Sequence, residues 1–120
     1  MGMDAKVTIW VGVGEDFDIE ELQDKLPHMF DREDDEFTEH IDSSEANKHY
    51  GVEIESVYCS DEVCGVGVVV FSHDWDYGVK EFDFANLEVD SVIATRQLRQ
   101  LFDKHGVTQM IKVWVQTDYR

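Results

Sequence analysis

The sequence predicts one α+β domain over residues 1–120: a ferredoxin-like βαββαβ antiparallel sheet with two helices on one face and an acidic insertion after the first helix. Three observations support this prediction. Apolar alternation marks four strands, helical apolar spacing marks two helices between them, and 120 residues suit a single domain. Right-handed crossovers would then place both helices on the same side of the sheet.

The first strand is followed by a short helix. Apolar side chains alternate with polar or small ones from Val7 to Val13, which is the period of a half-buried strand. Asp18 with Glu21 three places later resembles a capping box, and a one-sided apolar stripe follows it. Pro27 has no amide hydrogen to donate, so we expect the helix to end near Leu26.

The middle of the chain predicts a hairpin preceded by the acidic insertion. Residues 31–50 have a weak apolar pattern, which suits a short helix or a mostly irregular loop. Strands are predicted at Val52 to Val57 and at Val63 to Phe71, joined across a polar turn. The aromatic-rich stretch that follows is compatible with a further short strand at Val79 to Phe84.

A second helix and a last strand complete the predicted fold. Asp90 or Ser91 is the expected N-cap of the helix, and Gly106 is its expected end. The last strand is predicted at Val107 to Gln116. The apolar stripe expected to face the sheet consists of Ala94, Leu98, Leu101 and Phe102.

Strand alternation divides the sheet residues between two faces. Trp10 and Trp114 should lie on the open face, away from the helices, together with Gly65 and Gly67. They form either a small secondary core or a binding platform; an RNA-binding platform is excluded because the positive charges that accompany stacked bases are missing. The residues expected to point toward the helices are Val7, Ile9, Val11, Ile111, Val113 and Val115.

The charge is strongly negative and unevenly distributed. The chain has 27 Asp and Glu against 10 Lys and Arg, a net charge of −17; residues 14–62 carry −15 of it and residues 63–120 carry −2. This field repels phosphate backbones and anionic lipid headgroups, which excludes direct binding to nucleic acid or to a membrane surface. The apolar stretches are too short to span a membrane. We therefore expect a cytoplasmic protein with a basic protein partner.

Two segments are the predicted partner-binding sites. In the first segment, from Asp31 to Glu45, many carboxylates lie close together and repel one another. The second segment, residues 74–77, combines aromatic rings with aspartates that can pair with Arg or Lys. The alternatives are a solvated surface that keeps the protein soluble and a Trp75 that anchors its loop to the core. The predicted binding residues are Asp31, Glu33, Asp34, Asp35, Glu36, Glu39, Asp74, Trp75, Asp76 and Tyr77.

No residue pattern indicates catalysis, a cofactor or a metal site. A nucleophile elbow and a phosphate-cradling glycine loop are both missing, so we predict that the protein is not an enzyme. Asp74, Asp76 and Asp83 are ligands that hard cations favour, but the spacing of a calcium loop is missing. Cys59 and Cys64 flank the hairpin turn at a separation that allows a disulfide, and we expect ordinary free thiols there.

Four features of the N-terminal half point to a family resemblance: the opening Lys6 to Gly12, the acidic helix that starts near Phe17, the pair Glu36 and Phe37, and the segment His49 to Glu53. On these features the N-terminal half resembles immunity protein family 22, the antidotes of bacterial polymorphic toxin systems. The resemblance implies a small cytoplasmic protein that binds a cognate toxin domain and blocks it.

Charge and resemblance favour the same function. A nuclease toxin needs a cationic cleft for phosphates, and an acidic inhibitor could occupy that cleft. The leading hypothesis is a non-enzymatic immunity protein that neutralises a basic toxin domain. The alternative is a DNA mimic that inhibits nucleic-acid-binding defence or restriction proteins, and a third hypothesis is a small enzyme or metal sensor that uses Asp74, Asp76 and a histidine.

Overall fold

The computed structural model describes residues 5–33, 36–59, 61–75 and 83–119. Its elements in chain order are β1 (Ala5–Val13), α1 (Ile19–Lys25), a 3-10 turn (Pro27–Met29), β2 (Phe30–Glu33), β3 (Glu36–Ile41), α2 (Ser43–Tyr50), β4 (Glu55–Cys59), β5 (Glu62–Trp75), α3 (Phe84–His105) and β6 (Lys112–Tyr119).

Four strands form one antiparallel sheet in the order β4, β5, β1, β6. The two central strands, β1 and β5, pair from Ala5 opposite Trp75 to Val13 opposite Val66. The strands β4 and β6 are the edges, and β2 and β3 form a separate two-stranded hairpin. The predicted α+β class with an antiparallel sheet is confirmed.

One hydrophobic core joins the three helices to one face of the sheet. Leu22 of α1, Ala46 of α2 and Leu98 of α3 are buried in it together with Val11 of β1 and Val66 of β5. Each large side chain buried in this way contributes about 2 kcal/mol through the hydrophobic effect. The stripe predicted for the last helix is buried throughout: Ala94, Leu98, Leu101 and Phe102.

The helix α3 starts earlier than the predicted cap at Asp90 or Ser91. Asp83 is the N-cap, and its carboxylate accepts hydrogen bonds from the backbone amides of Ala85 at 2.9 Å and Asn86 at 3.3 Å. The first turns are solvent-exposed, with Phe84 74% exposed, so they show no apolar stripe in the sequence. A short strand was also considered at Val79 to Phe84. Phe84 is helical, so the strand prediction is wrong for this residue, and residues 79–82 lie outside the described part of the chain.

The segment predicted as an acidic insertion is more ordered than its sequence pattern suggested. A hairpin, β2 with β3, is followed by the short helix α2, which was one of the two expected forms. The carboxylate of Asp42 caps α2 by accepting from the amides of Ser44 and Glu45, and Gly51 ends the helix in the left-handed conformation at φ 71°. The hairpin was missed because Phe30 is the one buried residue of β2, so no alternating pattern appears.

Several strand boundaries differ from the predicted ones. The strand β4 starts at Glu55, because Val52 and Ile54 enter the core before it. The strand β5 continues beyond Phe71 to pair with the start of β1. Residues 107–111 are not a strand, since Thr108 and Gln109 hydrogen-bond to α1 and β6 begins only after them.

Cys59 and Cys64 form a disulfide at the turn between β4 and β5. Free thiols were expected, so this expectation is wrong. An irregularity in the register between Val57 and Tyr58 brings the two cysteines together, with their Cα atoms 5.7 Å apart. This separation is typical of disulfides.

The open face of the sheet carries a pair of tryptophans, as predicted. The rings of Trp10 and Trp114 stack with centroids 6.1 Å apart, and a Cβ built on Gly65 would lie 2.5 Å from the Trp10 ring. Both indole N–H groups donate to carbonyls of β1, of Val13 at 3.2 Å and of Gly12 at 3.0 Å. Trp10 is buried, so the pair forms a small secondary core.

Gly67 lies against the backbone of β1. A Cβ at Gly67 would meet the carbonyl of Val11, and a Cβ at Gly12 would meet the carbonyl of Val66. The two glycines therefore allow the backbones of β1 and β5 to approach closely. The ring of Trp114 instead covers Gly14.

The outer strand β6 is not covered by a helix. Val113 and Val115 alternate with Trp114, so they lie on the helix side as predicted, yet they are 55% and 67% exposed. The helix α3 packs on β1 and β5, so it does not reach over these two side chains.

Candidate functional site

The hairpin formed by β2 and β3 presents the central part of the predicted binding segment to solvent. Asp31, Glu33, Glu36 and Glu39 are all exposed on it. The hairpin is held internally by the Thr38 hydroxyl, which donates to the Asp31 carbonyl at 3.2 Å. Asp34 and Asp35 lie outside the described residues.

Hydrogen bonds hold the hairpin between α1 and β4. From α1, the Gln23 amide nitrogen Nε2 donates to the Thr38 carbonyl at 3.1 Å. From β4, the Ser56 hydroxyl accepts from the Ile41 amide at 3.1 Å and donates to the Glu39 carbonyl at 3.4 Å. The acidic segments that are separate in the sequence are therefore neighbours in space.

A histidine and a tyrosine form a further contact between the hairpin and β4. His40 Nδ1 lies 2.6 Å from the Tyr58 hydroxyl oxygen, and both side chains are exposed. The sequence reading missed this pair because the two residues are 18 positions apart and neither shows a motif. The contact helps to fix the hairpin against the edge of the sheet.

We use the name acidic face for the exposed carboxylates carried by α1, the hairpin and residues 53–55, which these hydrogen bonds hold together. A nearby cation is Lys25, which pairs with Asp24 at 3.6 Å on the surface, where an ion pair has little energetic weight. The exposed carboxylates of the acidic face are those of Glu20, Asp24, Asp31, Glu33, Glu36, Glu39, Glu53 and Glu55.

The second predicted binding segment lies elsewhere on the sheet. Asp74 is exposed on β5, where it pairs in register with Lys6 of β1. The strand β4 and the hairpin beside it flank the other end of β5, which pairs with β4 from Glu62 to Gly67. The structure does not bring Asp74 next to the acidic face. The Trp75 side chain, Asp76 and Tyr77 lie outside the described residues.

Other carboxylates have structural roles. Asp18 caps α1 by accepting from the Glu21 amide at 3.1 Å, and its own amide donates to Gln109 Oε1 at 2.8 Å. The predicted capping box is thus half formed, because the Glu21 side chain turns instead to Thr108. Asp42 and Asp83 cap the two longer helices in the same way as Asp18. These residues account for part of the acidic excess without any partner.

A polar cleft of about 410 Å³ lies on the open face of the sheet. Gln116 Nε2 donates to the Tyr58 carbonyl at 3.1 Å, and since β6 and β4 are opposite edges, the sheet must curl to allow this contact. Lys6 and Glu55 line the cleft. Loss of water around the carboxyl raises the pKa of Glu55, the charge of Glu53 adds to this, and Lys6 acts in the opposite direction.

The cleft has no arrangement that indicates catalysis. Its aliphatic hydroxyl groups, from Thr8, Ser56 and Ser72, have no histidine among the residues lining the cleft that could activate them. Across the described ranges, no group of three or more His, Cys, Asp or Glu side chains is placed to hold a metal ion. Asp74 and Asp83, the two suggested cation ligands that the structure describes, therefore belong to no such group.

No helix within the described residues is long and apolar enough to cross a bilayer. No protein-family model, curated protein or solved structure matches the chain. The resemblance to immunity protein family 22 therefore stays a prediction.

Proposed function

We propose that the protein is a non-enzymatic, cytoplasmic inhibitor that binds a basic protein domain through its acidic face, and that this partner is a toxin nuclease. The observation that supports the proposal most is the position of the β2–β3 hairpin. It carries four exposed carboxylates and is fixed between α1 and β4, which add further carboxylates to the same surface.

Electrostatics explains why such a surface suits a nuclease. A nuclease concentrates Lys and Arg in the cleft that receives phosphates, and an acidic surface of matching extent can occupy that cleft. A net charge of −17 also steers a cationic partner toward the protein and speeds the encounter.

The order of the acidic segment supports a docking surface over a purely solubilising one. Carboxylates that serve only solubility need no fixed arrangement and are commonly found in unstructured runs. Here the Ser56 hydroxyl makes two hydrogen bonds to β3, and Gln23 makes a third from the other side. A fixed arrangement of repelling charges costs stability in the free protein, and binding to a cation relieves it.

We further propose that the main sheet is a ferredoxin-like βαββαβ unit with residues 30–50 inserted. The strand order β4, β5, β1, β6, with every neighbouring pair antiparallel, supports this arrangement. The insertion then contains β2, β3 and α2, none of which is part of the main sheet.

Co-expression with the proteins encoded beside its gene, followed by pull-down at low salt, tests the proposed function. The expected result is capture of one basic protein whose nuclease activity is blocked in the complex. A matched pair of variants locates the site: Glu33, Glu36 and Glu39 changed to Gln should weaken capture, whereas Glu88→Gln, Asp90→Asn and Asp103→Asn on α3 should not.

Two outcomes would contradict the proposal. Capture of no basic protein at low salt would remove the docking function. Inhibition of several unrelated DNA-binding proteins, with no single preferred target, would instead favour DNA mimicry, the alternative function considered from the sequence.

A further inference from the structure

We propose that the protein forms a homodimer in which β6 pairs antiparallel with β6 of a second copy, with Val115 of each copy at the two-fold axis. The result is a continuous eight-stranded sheet. This inference does not depend on the proposed inhibitory function, since it uses a different part of the molecule.

The strand β6 is an edge of the sheet, although its Gln116 side chain reaches across the open face to the Tyr58 carbonyl of β4. At the opposite edge, β4 is flanked by the hairpin, because Ser56 hydrogen-bonds to the backbone of Ile41 and Glu39. Among the described residues, no strand pairs with the outer side of β6. An open edge exposes unpaired N–H and C=O groups that readily pair with another strand.

Exposed apolar side chains accompany this open edge. Val115 is 67% exposed and Val113 is 55% exposed on the helix side of β6, and Val92 of α3 is 51% exposed. Natural proteins usually protect an edge strand with charged residues, proline or a short length, whereas the exposed side of β6 carries two valines over an eight-residue strand. A second copy would place its own Val115 beside Val115 and its Thr117 beside Val113, which would reduce the exposure of both valines.

The sequence of β6 is complementary to itself in one register. An antiparallel pair centred on Val115 places Trp114 opposite Gln116, Val113 opposite Thr117 and Lys112 opposite Asp118 of the second copy. By symmetry Lys112 faces Asp118 of the second copy twice, in addition to the interaction that Asp118 makes within its own chain, and opposite charges on facing strand positions stabilise pairing. A register centred on Trp114 would place Lys112 opposite the neutral Gln116.

The distribution of charge permits this association despite the net charge of −17. The C-terminal residues 63–120, which include β6, carry a net charge of only −2. Arg96 and Arg99 line the outer groove of α3 together with Val92. The hairpin of the acidic face lies beside β4, at the other edge of the sheet, and would stay exposed in both copies.

Sedimentation velocity over a range of protein concentrations tests the dimer. The wild type should sediment as a dimer, and Val115→Lys should sediment as a monomer with an unchanged circular dichroism spectrum. Ile93→Lys is the matched control, because Ile93 is a similarly exposed apolar residue, 49% exposed, on α3 rather than on β6, and its substitution should leave the dimer intact. A wild type that stays monomeric at every concentration would overturn the proposal.

Cysteine cross-linking tests the register in a variant with Cys59 and Cys64 changed to Ala. Under mild oxidation Val115→Cys should form a covalent dimer, because the two introduced thiols face each other across the axis. Thr117→Cys should not, since Thr117 faces Val113 of the second copy. Equal cross-linking at both positions would contradict the register. If the wild type is monomeric and Val115→Lys abolishes binding of a basic partner, the dimer is contradicted and β6 is the binding edge for that partner instead.

Discussion

The carboxylate of Glu21 in α1 accepts hydrogen bonds from both the hydroxyl and the amide of Thr108, at 2.7 and 3.1 Å. Thr108 lies 87 residues later, in the segment that leads into β6. Gln109 Nε2 donates to the same carboxylate at 3.1 Å. This cluster attaches α1, a helix of only seven residues, to the segment that leads into β6. A helix of that length is not stable in isolation, so α1 depends on such tertiary contacts.

The Glu21 contact predicts acid sensitivity. The Thr108 hydroxyl is the main cause of the lowered pKa of Glu21, which falls below the ordinary value of 4.5. The charged carboxylate therefore stabilises the fold above pH 4.5, and this stability disappears as the pH falls through the lowered pKa. Thr108→Val should reduce the free energy of unfolding by about 1 kcal/mol at neutral pH. Urea unfolding at a series of pH values should show the difference shrinking in acid; a constant difference would contradict the assignment.

Glu55 should show the opposite pH dependence. Its pKa is raised mainly by loss of water in the cleft, so the folded protein holds the proton more tightly than the unfolded chain does. The stability from the protonated form is present in acid and is lost as the pH rises through the raised pKa. Glu55→Gln should therefore stabilise the protein at neutral pH more than Glu88→Gln, an exposed control that removes the same charge from α3. Equal melting temperatures for the two variants would rule this out.

The tryptophan pair makes Gly65 intolerant of a side chain. A Cβ at Gly65 would lie 2.5 Å from the Trp10 ring, which is buried and cannot move without cost. We expect Gly65→Ala to reduce the free energy of unfolding by about 1–3 kcal/mol, the usual effect of overpacking. In a Trp10→Leu background the same change should cost clearly less, which chemical denaturation of the four proteins in the cycle would measure.

The disulfide predicts a limited dependence on reductant. Closing a loop this short by Cys59 and Cys64 should contribute about 2 kcal/mol through reduced entropy of the unfolded chain. A thiol reductant should lower the melting temperature of the wild type and leave the Cys59→Ala, Cys64→Ala double variant unchanged. If the wild type melts identically with and without reductant, the bond does not stabilise the fold.

The main sheet was readable from the sequence because its strands have one buried face. β1 alternates visibly, since Val11 and Val13 enter the core while Trp10 lies on the other side. The hairpin was not readable, since β2 buries Phe30 alone and its other residues face water. The first turns of α3 were missed for the same reason.

The sequence predicted which residues of the candidate site are acidic, but not where those residues lie on the folded protein. The acidic run was evident, whereas its position depends on single hydrogen bonds between distant residues. Gln23 and Ser56, which hold the hairpin on its two sides, carry no signal in a single sequence. The same holds for the cleft, whose shape depends on the contact between Gln116 and Tyr58.

The most direct test is the salt dependence of association with the basic protein captured by co-expression, measured by stopped-flow fluorescence. We expect fast association that slows steeply with ionic strength, with the Glu33, Glu36 and Glu39 triple Gln variant roughly tenfold slower at low salt and less dependent on salt. The charge-matched α3 triple variant should behave like the wild type. Identical rates and salt slopes for the wild type and the hairpin variant would contradict the claim that the acidic face is the docking surface.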